Sequence, residues 1–188
     1  MKLPKKYQYL NDVPVLPWVI REGLKLYGTL EWSGDANNPE ILDWADEVAK
    51  ASPSSYTKWA GGWYDKDSIA WCGLFAAVIA VRAKKKIPKN YLRALAWVNF
   101  GEEIPETEAG LGDVLTFYRN KGGHVGFYVG EDVTHYHVLG GNQGDQVNIR
   151  RIAKSRLYSV NRPLYRNKPS SVKKYHLNAS GVVSNNEA

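Results

Sequence analysis

The chain has 188 residues, of which 44% are hydrophobic and 12% aromatic, enough for one domain with a substantial core. Its 25 basic residues exceed its 19 acidic ones, giving a net charge of +6 and a pI near 9.3, so an anionic partner is expected. A lone cysteine excludes an intramolecular disulfide, and the longest apolar stretch, residues 74–81, is too short to span a bilayer.

Residues 1–10 carry lysines with no apolar run behind them, so no signal peptide is expected. Residues 14–27 read as a first helix, with Trp18, Leu24 and Tyr27 as candidate buried side chains. A loop rich in Gly, Asp and Asn, 28–38, leads to a second helix over 39–51. Asn38 suits its N-cap, Pro39 its first position and Glu40 its dipole, while Ile41, Leu42, Ala45, Val48 and Ala49 recur at helical spacing. A polar, aromatic-rich loop is expected over 52–68. A third helix should start near Asp67 or Ser68, pass through Trp71 and Cys72, and end around Lys84. It is apolar on almost every face, which predicts a buried helix. Residues 91–100 suggest a fourth helix stopped by Gly101.

After Gly112 the pattern changes to short β-rich runs at 114–118, 124–129, 135–139, 147–152 and 157–160. Helices followed by a strand meander predict an α+β domain, with N-terminal helices packed on a small antiparallel sheet. A single domain over 1–165 is expected, followed by a polar, loosely ordered tail, 166–188.

Cys72 falls at the expected start of the buried helix, where unpaired amides and the helix dipole favour a thiolate. Its own amide is also placed to hold an oxyanion. Free cysteines more often simply pack, so a partner decides the matter. His124 is the candidate base, in Gly123-His124-Val125-Gly126-Phe127-Tyr128. Strand alternation puts His124, Gly126 and Tyr128 on one face, and Gly126 is expected to leave open space beside the imidazole. A third group should orient the ring. Asn142, in Gly140-Gly141-Asn142-Gln143, is the first candidate and His137 the second.

In this order, Asn37-Asn38-Pro39, Trp71-Cys72, Gly112-Asp113-Val114, 123–128 and 138–143 resemble the NlpC/CHAP superfamily of papain-like cysteine peptidases and amidases. More narrowly they resemble its phage-associated, endolysin-like branch, over about residues 15–163. The resemblance implies a papain-like α+β fold, with Cys72 as nucleophile, His124 as base and acid, and Asn142 as orienting residue. It implies no cofactor and no metal, and a peptidoglycan substrate in an anionic bacterial envelope. A monomer is expected, made in the host bacterial cytoplasm and acting on the wall after release. Two departures stand out: Gly140 occupies a position where a carboxylate is common, and other NlpC-type enzymes use a histidine in this region, which keeps His137 as the alternative. Tyr56 is a candidate upstream oxyanion donor of unassigned spacing.

Three rivals share parts of this pattern. A zinc amidase would use His135 and His137 with His124, but no His-Glu-x-x-His or paired-cysteine spacing is present. A non-catalytic wall-binding module would use Trp59, Trp63 and Tyr64 to stack on sugars. An acyltransferase would use the same thiolate. No nucleic-acid partner is expected, because Lys84, Lys85 and Lys86 follow a helix C-terminus where dipole pairing and solvation explain them.

Overall fold

In the computed structural model, which describes residues 3–120 and 122–184, helices come first and a six-stranded antiparallel sheet follows. A 3-10 helix, Lys5–Asn11, precedes α1, Trp18–Lys25; α2, Pro39–Ala51; α3, Ser55–Trp63; and α4, Cys72–Arg82. The strands are β1, Glu102–Glu103; β2, Val114–Arg119; β3, Gly122–Glu131; β4, His135–Gly140; β5, Asn148–Ala153; and β6, Leu157–Arg162. Their order across the sheet is β1-β6-β2-β3-β4-β5.

Local chemistry explains where these elements begin. Asn38 caps α2 as its sequence suggests, its side-chain oxygen accepting from the Glu40 amide at 2.9 Å. The expected loop over 52–68 contains α3, capped by a reciprocal box between Ser54 and Thr57. That box is hard to read because its second member is threonine rather than Glu or Gln, and Gly61-Gly62 suggests a turn. The first helix begins only after Pro17. It buries Val19 and Ile20, whereas Trp18, expected inside, is 48% exposed. Helix α4 starts at Cys72 itself, several residues later than expected. The expected fourth helix is only a 3-10 turn, Ala94–Asn99.

The main core lies between the helices and the sheet. Helix α4 supplies its centre, and Val125, Phe127 and Val129 of β3 meet it from the sheet. The other face of the sheet carries a second cluster, including Leu115, Phe117, Tyr128, Tyr136 and Val138. Both faces of β3 are therefore buried. Two backbone approaches demand glycine: a Cβ on Gly73 would lie 2.4 Å from the Tyr91 carbonyl oxygen, and one on Gly126 would lie 2.5 Å from Val138. Gly126 therefore does not open a space beside His124 as its position suggests; β4 fills it.

The segment after Tyr165, expected to be loose, is packed from about Ser171 to Ser184. Ser171 and Val172 are buried, Tyr175 stacks on Tyr9 at 5.1 Å, and Leu177 lies against Gly130. Backbone bonds join Glu131 to Tyr175 and Leu177, and Arg151 to Val182 and Ser184. Polar composition misleads here because main-chain pairing, not side-chain burial, ties most of the segment down. Residues 185–188 of the expected tail lie outside the described residues. No described helix is long and apolar enough to cross a membrane.

The Gly112-Asp113-Val114 motif is a joint between strands. Asp113 is fully buried and takes Arg162 Nε at 3.0 Å and a second guanidinium nitrogen at 2.8 Å, plus the Gly110 amide at 2.8 Å. Burial raises its carboxyl above the usual range, and Arg162 opposes that rise. Removing one partner of such a pair strands the other charge. Arg162→Met is therefore expected to cost about 3–5 kcal/mol, read as a lower midpoint in urea denaturation. A midpoint within error of wild type would exclude this structural role.

Candidate active site

Cys72 is the first residue of α4 and is almost fully buried. Trp71 stands before it and offers no side-chain cap, so the first-turn amides are not taken up by a capping side chain. Trp71 is itself tied down, its indole N–H donating to Glu31 at 3.0 Å. The loop carrying Glu31 is held in turn by Asp67, whose carboxylate accepts from the Trp32 and Asn38 amides at 2.9 and 2.8 Å. Asn37 returns the bond by accepting from the Asp67 amide at 3.1 Å, and Asn38 donates to the Leu30 carbonyl at 2.7 Å. The Asn37-Asn38-Pro39 motif thus fixes the loop that buttresses the cysteine. Burial raises the Glu31 carboxyl; the Trp71 bond opposes that, and Asp145 and Asp67 add to the rise.

His124 is completely buried on β3, its ring 6.5 Å from Phe117 and nearly parallel to it. Its Nε2 lies 3.1 Å from Gln143 Oε1. The Gln143 amide has one sensible orientation. Its nitrogen faces the carbonyls of Val138 at 3.2 Å and Asn148 at 2.9 Å, and Asn148 Oδ1 at 3.0 Å, all acceptors. The amide oxygen therefore faces the imidazole and accepts from Nε2–H. In the neutral ring this leaves the lone pair on Nδ1.

The glycine pair Gly140-Gly141 joins the two halves of the site. A Cβ on Gly140 would sit 3.1 Å from His124 Nε2, and one on Gly141 would sit 2.5 Å from Phe75 and 2.7 Å from Trp71. Phe75 is one turn along α4 from Cys72, on the same side of the helix. Consecutive residues therefore touch the imidazole and the two neighbours of the cysteine. Tyr64 closes another wall: burial, Glu31, Asp67 and Cys72 all raise its phenol, while its hydroxyl donates to the Ile69 carbonyl at 2.7 Å. Tyr56 packs edge-on against Tyr91, 5.6 Å between ring centres.

The side chain that bonds His124 Nε2 is thus Gln143, one residue beyond Asn142. Asn142 holds a left-handed backbone, φ 54°, and its side chain is buried. Its Oδ1 is buried and accepts no hydrogen bond among the described residues. The signal for Gln143 was in the same four-residue motif, but a glutamine after an Asn/Gly turn reads as a turn residue.

His137 lies elsewhere. It pairs with Gly130, six residues along β3 from His124, roughly 20 Å at strand spacing. There Tyr7 donates to His137 Nδ1 at 2.8 Å, and Nε2–H donates to Asp132 at 3.1 Å. Arg151 also donates to Asp132, at 2.7 Å. Burial alone would raise the Asp132 carboxyl, but Arg151, the Thr134 and His135 amides and His137 together hold it well below the usual range. His135 sits beside Thr134 and Arg151. Among the described residues, no group of three or more His, Cys, Asp and Glu side chains is arranged to hold a metal ion. No protein-family model and no curated protein matches the chain.

Burial lowers the His137 imidazole to about 4, with Asp132 opposing and Lys6 and Arg151 adding to the fall. The folded value lies below the unfolded one, near 6.5, so the unfolded chain binds the extra proton between them. Stability from this group is full above pH 6.5 and is lost as pH falls towards 4, on the order of 3 kcal/mol. Glu31 and Asp113, with raised carboxyls, act in the opposite sense. The difference between wild type and His137→Gln in urea denaturation across pH 4–7 isolates the histidine. Parallel stability curves for the two proteins would remove it as the source.

Proposed function

We propose that the protein is a cysteine amidase or endopeptidase that cleaves amide bonds in the peptides of bacterial peptidoglycan. The observation that carries this reading is the imidazole of His124, held by Gln143 in the tautomer that leaves Nδ1 basic, in the same neighbourhood as a cysteine at a helix N-terminus. This is the division of labour that acyl transfer through a thiolate requires. The order of motifs along the chain, which resembles the papain-like NlpC/CHAP superfamily and its endolysin-like branch, supports the substrate class. So does the net charge of +6, suited to an anionic envelope.

In this mechanism His124 Nδ1 takes the Cys72 proton, and the sulfur attacks the amide carbon. The first-turn amides of α4, including that of Cys72, face the oxyanion with the positive end of the helix dipole. His124 returns the proton to the leaving amine as the C–N bond breaks, leaving a thioester. Water, deprotonated by His124, then attacks the thioester, releasing the acid and restoring the thiol. Gln143 is the positioning residue. Asn142, with a buried acceptor and no donor among the described residues, is assigned to a substrate N–H.

Cys72→Ala should abolish clearing of outer-membrane-permeabilised bacteria while keeping a wild-type melting temperature, and EDTA should leave wild-type activity unchanged. A folded Cys72→Ala protein that still clears cells overturns the mechanism, and activity lost to EDTA and restored by zinc points to a metal enzyme. Mass spectrometry of fragments from purified peptidoglycan identifies the amide bond cut.

The two polar residues after the glycine pair should separate kinetically. Gln143→Ala is expected to lower kcat by roughly a hundredfold, the size of a lost positioning contact. Asn142→Gly keeps the left-handed backbone at little cost and should chiefly raise KM. If Asn142→Gly instead loses kcat while Gln143→Ala keeps it, with both folded, the roles are exchanged.

A further inference from the structure

Folding leaves Trp18, Trp32, Trp59 and Trp63 about half exposed. Trp59 and Trp63, at 52% and 45%, stand apart from the others because they face each other. They lie one turn apart on α3 and stack, with ring centres 5.3 Å apart and planes within 18°. The helix itself is anchored through buried Thr57 and Ala60 and by its Ser54–Thr57 cap, and the indoles stand on its outward side. Together with Ser55, Lys58 and Gly62 they line an open hollow of about 640 Å³. Gly62 leaves room between them: a Cβ there would meet nothing within 4 Å.

Two stacked indoles make a flat, stiff surface, and each has only two side-chain torsions to fix when a ligand lands on it. A pyranose ring suits such a surface. Its C–H face lies on the electron-rich face of an indole, while its hydroxyl and acetamido oxygens accept from neighbouring donors. Lys58 and Ser55 are those donors, and no carboxylate stands among the described residues of the wall. A protein partner would need a broader apolar area. Here the indoles are bordered by exposed Ser54, Asp65 and Lys66, so the apolar surface ends with the two rings.

The hollow is continuous with the candidate active site through two aromatic links. Trp63 meets Tyr64 edge-on at 6.4 Å, and Tyr64, which sequence groups with the two tryptophans, is buried in the wall beside Cys72. Trp59 meets Tyr56 at 5.4 Å, Tyr56 meets Tyr91 at 5.6 Å, and the Tyr91 carbonyl lies against Gly73. Both links end at the first turn of α4. We propose that the Trp59–Trp63 pair is a sugar subsite, which seats the glycan strand of peptidoglycan while an attached peptide reaches Cys72. This rests on the peptidoglycan reading above, since in that polymer the peptides hang from N-acylated amino sugars.

Calorimetric titration of the full chain with chitotetraose, a soluble peptide-free oligomer of an N-acetylated amino sugar, tests the assignment. It should bind at one saturable site. Trp59→Ala and Trp63→Ala should each weaken binding by about tenfold, the scale of one lost stacking contact. Gly62→Gln keeps both indoles but fills the hollow, so it should weaken binding too, and it serves if an alanine variant fails to fold. Trp18→Ala removes a similarly exposed indole from α1 and should change nothing. Cys72→Ala should bind as wild type. Sugar binding without clearing of bacteria would therefore sink the hydrolase reading and leave the subsite standing, and clearing without sugar binding would do the reverse. Absent binding, binding unchanged in all three hollow variants, equal weakening by Trp18→Ala, or self-association lost with Trp59→Ala in place of sugar binding would each overturn the proposal.

Discussion

Helix α4 has no polar face, and that constraint organises the rest of the molecule. Every residue from Cys72 to Ala80 is buried, so α1, α2 and the sheet must enclose it on all sides. Each large side chain so enclosed contributes roughly 1.5–3 kcal/mol. The enclosure works only because small residues stand where backbones meet: Gly73 against residues 91–92, Gly23 near Ile79, and Gly141 against Phe75. Polar chemistry is confined to the two ends of the helix. At the C-terminal end Arg82 pairs with Glu47 through two bonds, of 2.8 and 2.6 Å. At the N-terminal end stands Cys72.

The second organising element is a neutral side chain. Gln143 ties β4, β5 and the turn between them together through its amide nitrogen, and spends its oxygen on His124. Rigidity of the sheet edge and orientation of the imidazole are therefore one property. The His137 network works by a different principle: an ion pair between Asp132 and Arg151 is buried, and a neutral histidine and a tyrosine complete its hydrogen bonding. Both networks reach β5, from opposite faces of the same short strand.

Much of the fold was legible because periodicity speaks clearly where one element buries a continuous apolar set. The all-apolar run of α4, the Asn38-Pro39-Glu40 start of α2 and the alternation of β2 to β6 are of this kind. Elements held by backbone contacts left weaker marks. Helix α3 depends on a threonine-containing cap and ends in a glycine pair, and residues 171–184 are held by main-chain bonds that composition does not record. In the site, Cys72 and His124 are conspicuous because few residue types carry such chemistry. The side chain that bonds His124 Nε2 stands one position beyond Asn142, at Gln143, in a turn where Asn142 takes a left-handed backbone and both side chains are buried. Which of two adjacent buried side chains meets the imidazole depends on the backbone angles of the turn, which spacing alone does not reveal.

The pairing of residues 182–184 with Arg151 gives β5 a neighbour on its otherwise open side. Likewise, β3 runs past the end of β2, and residues 175–177 cover the overhang at Glu131. A chain cut near Tyr165, where composition turns polar, would uncover both stretches of unpaired backbone at once. Such edges template strand exchange between molecules, so the truncated protein is a candidate for domain swapping and aggregation even with its helical core intact. For expression and fusion work, the useful boundary thus falls beyond Ser184, set by main-chain pairing and not by hydropathy.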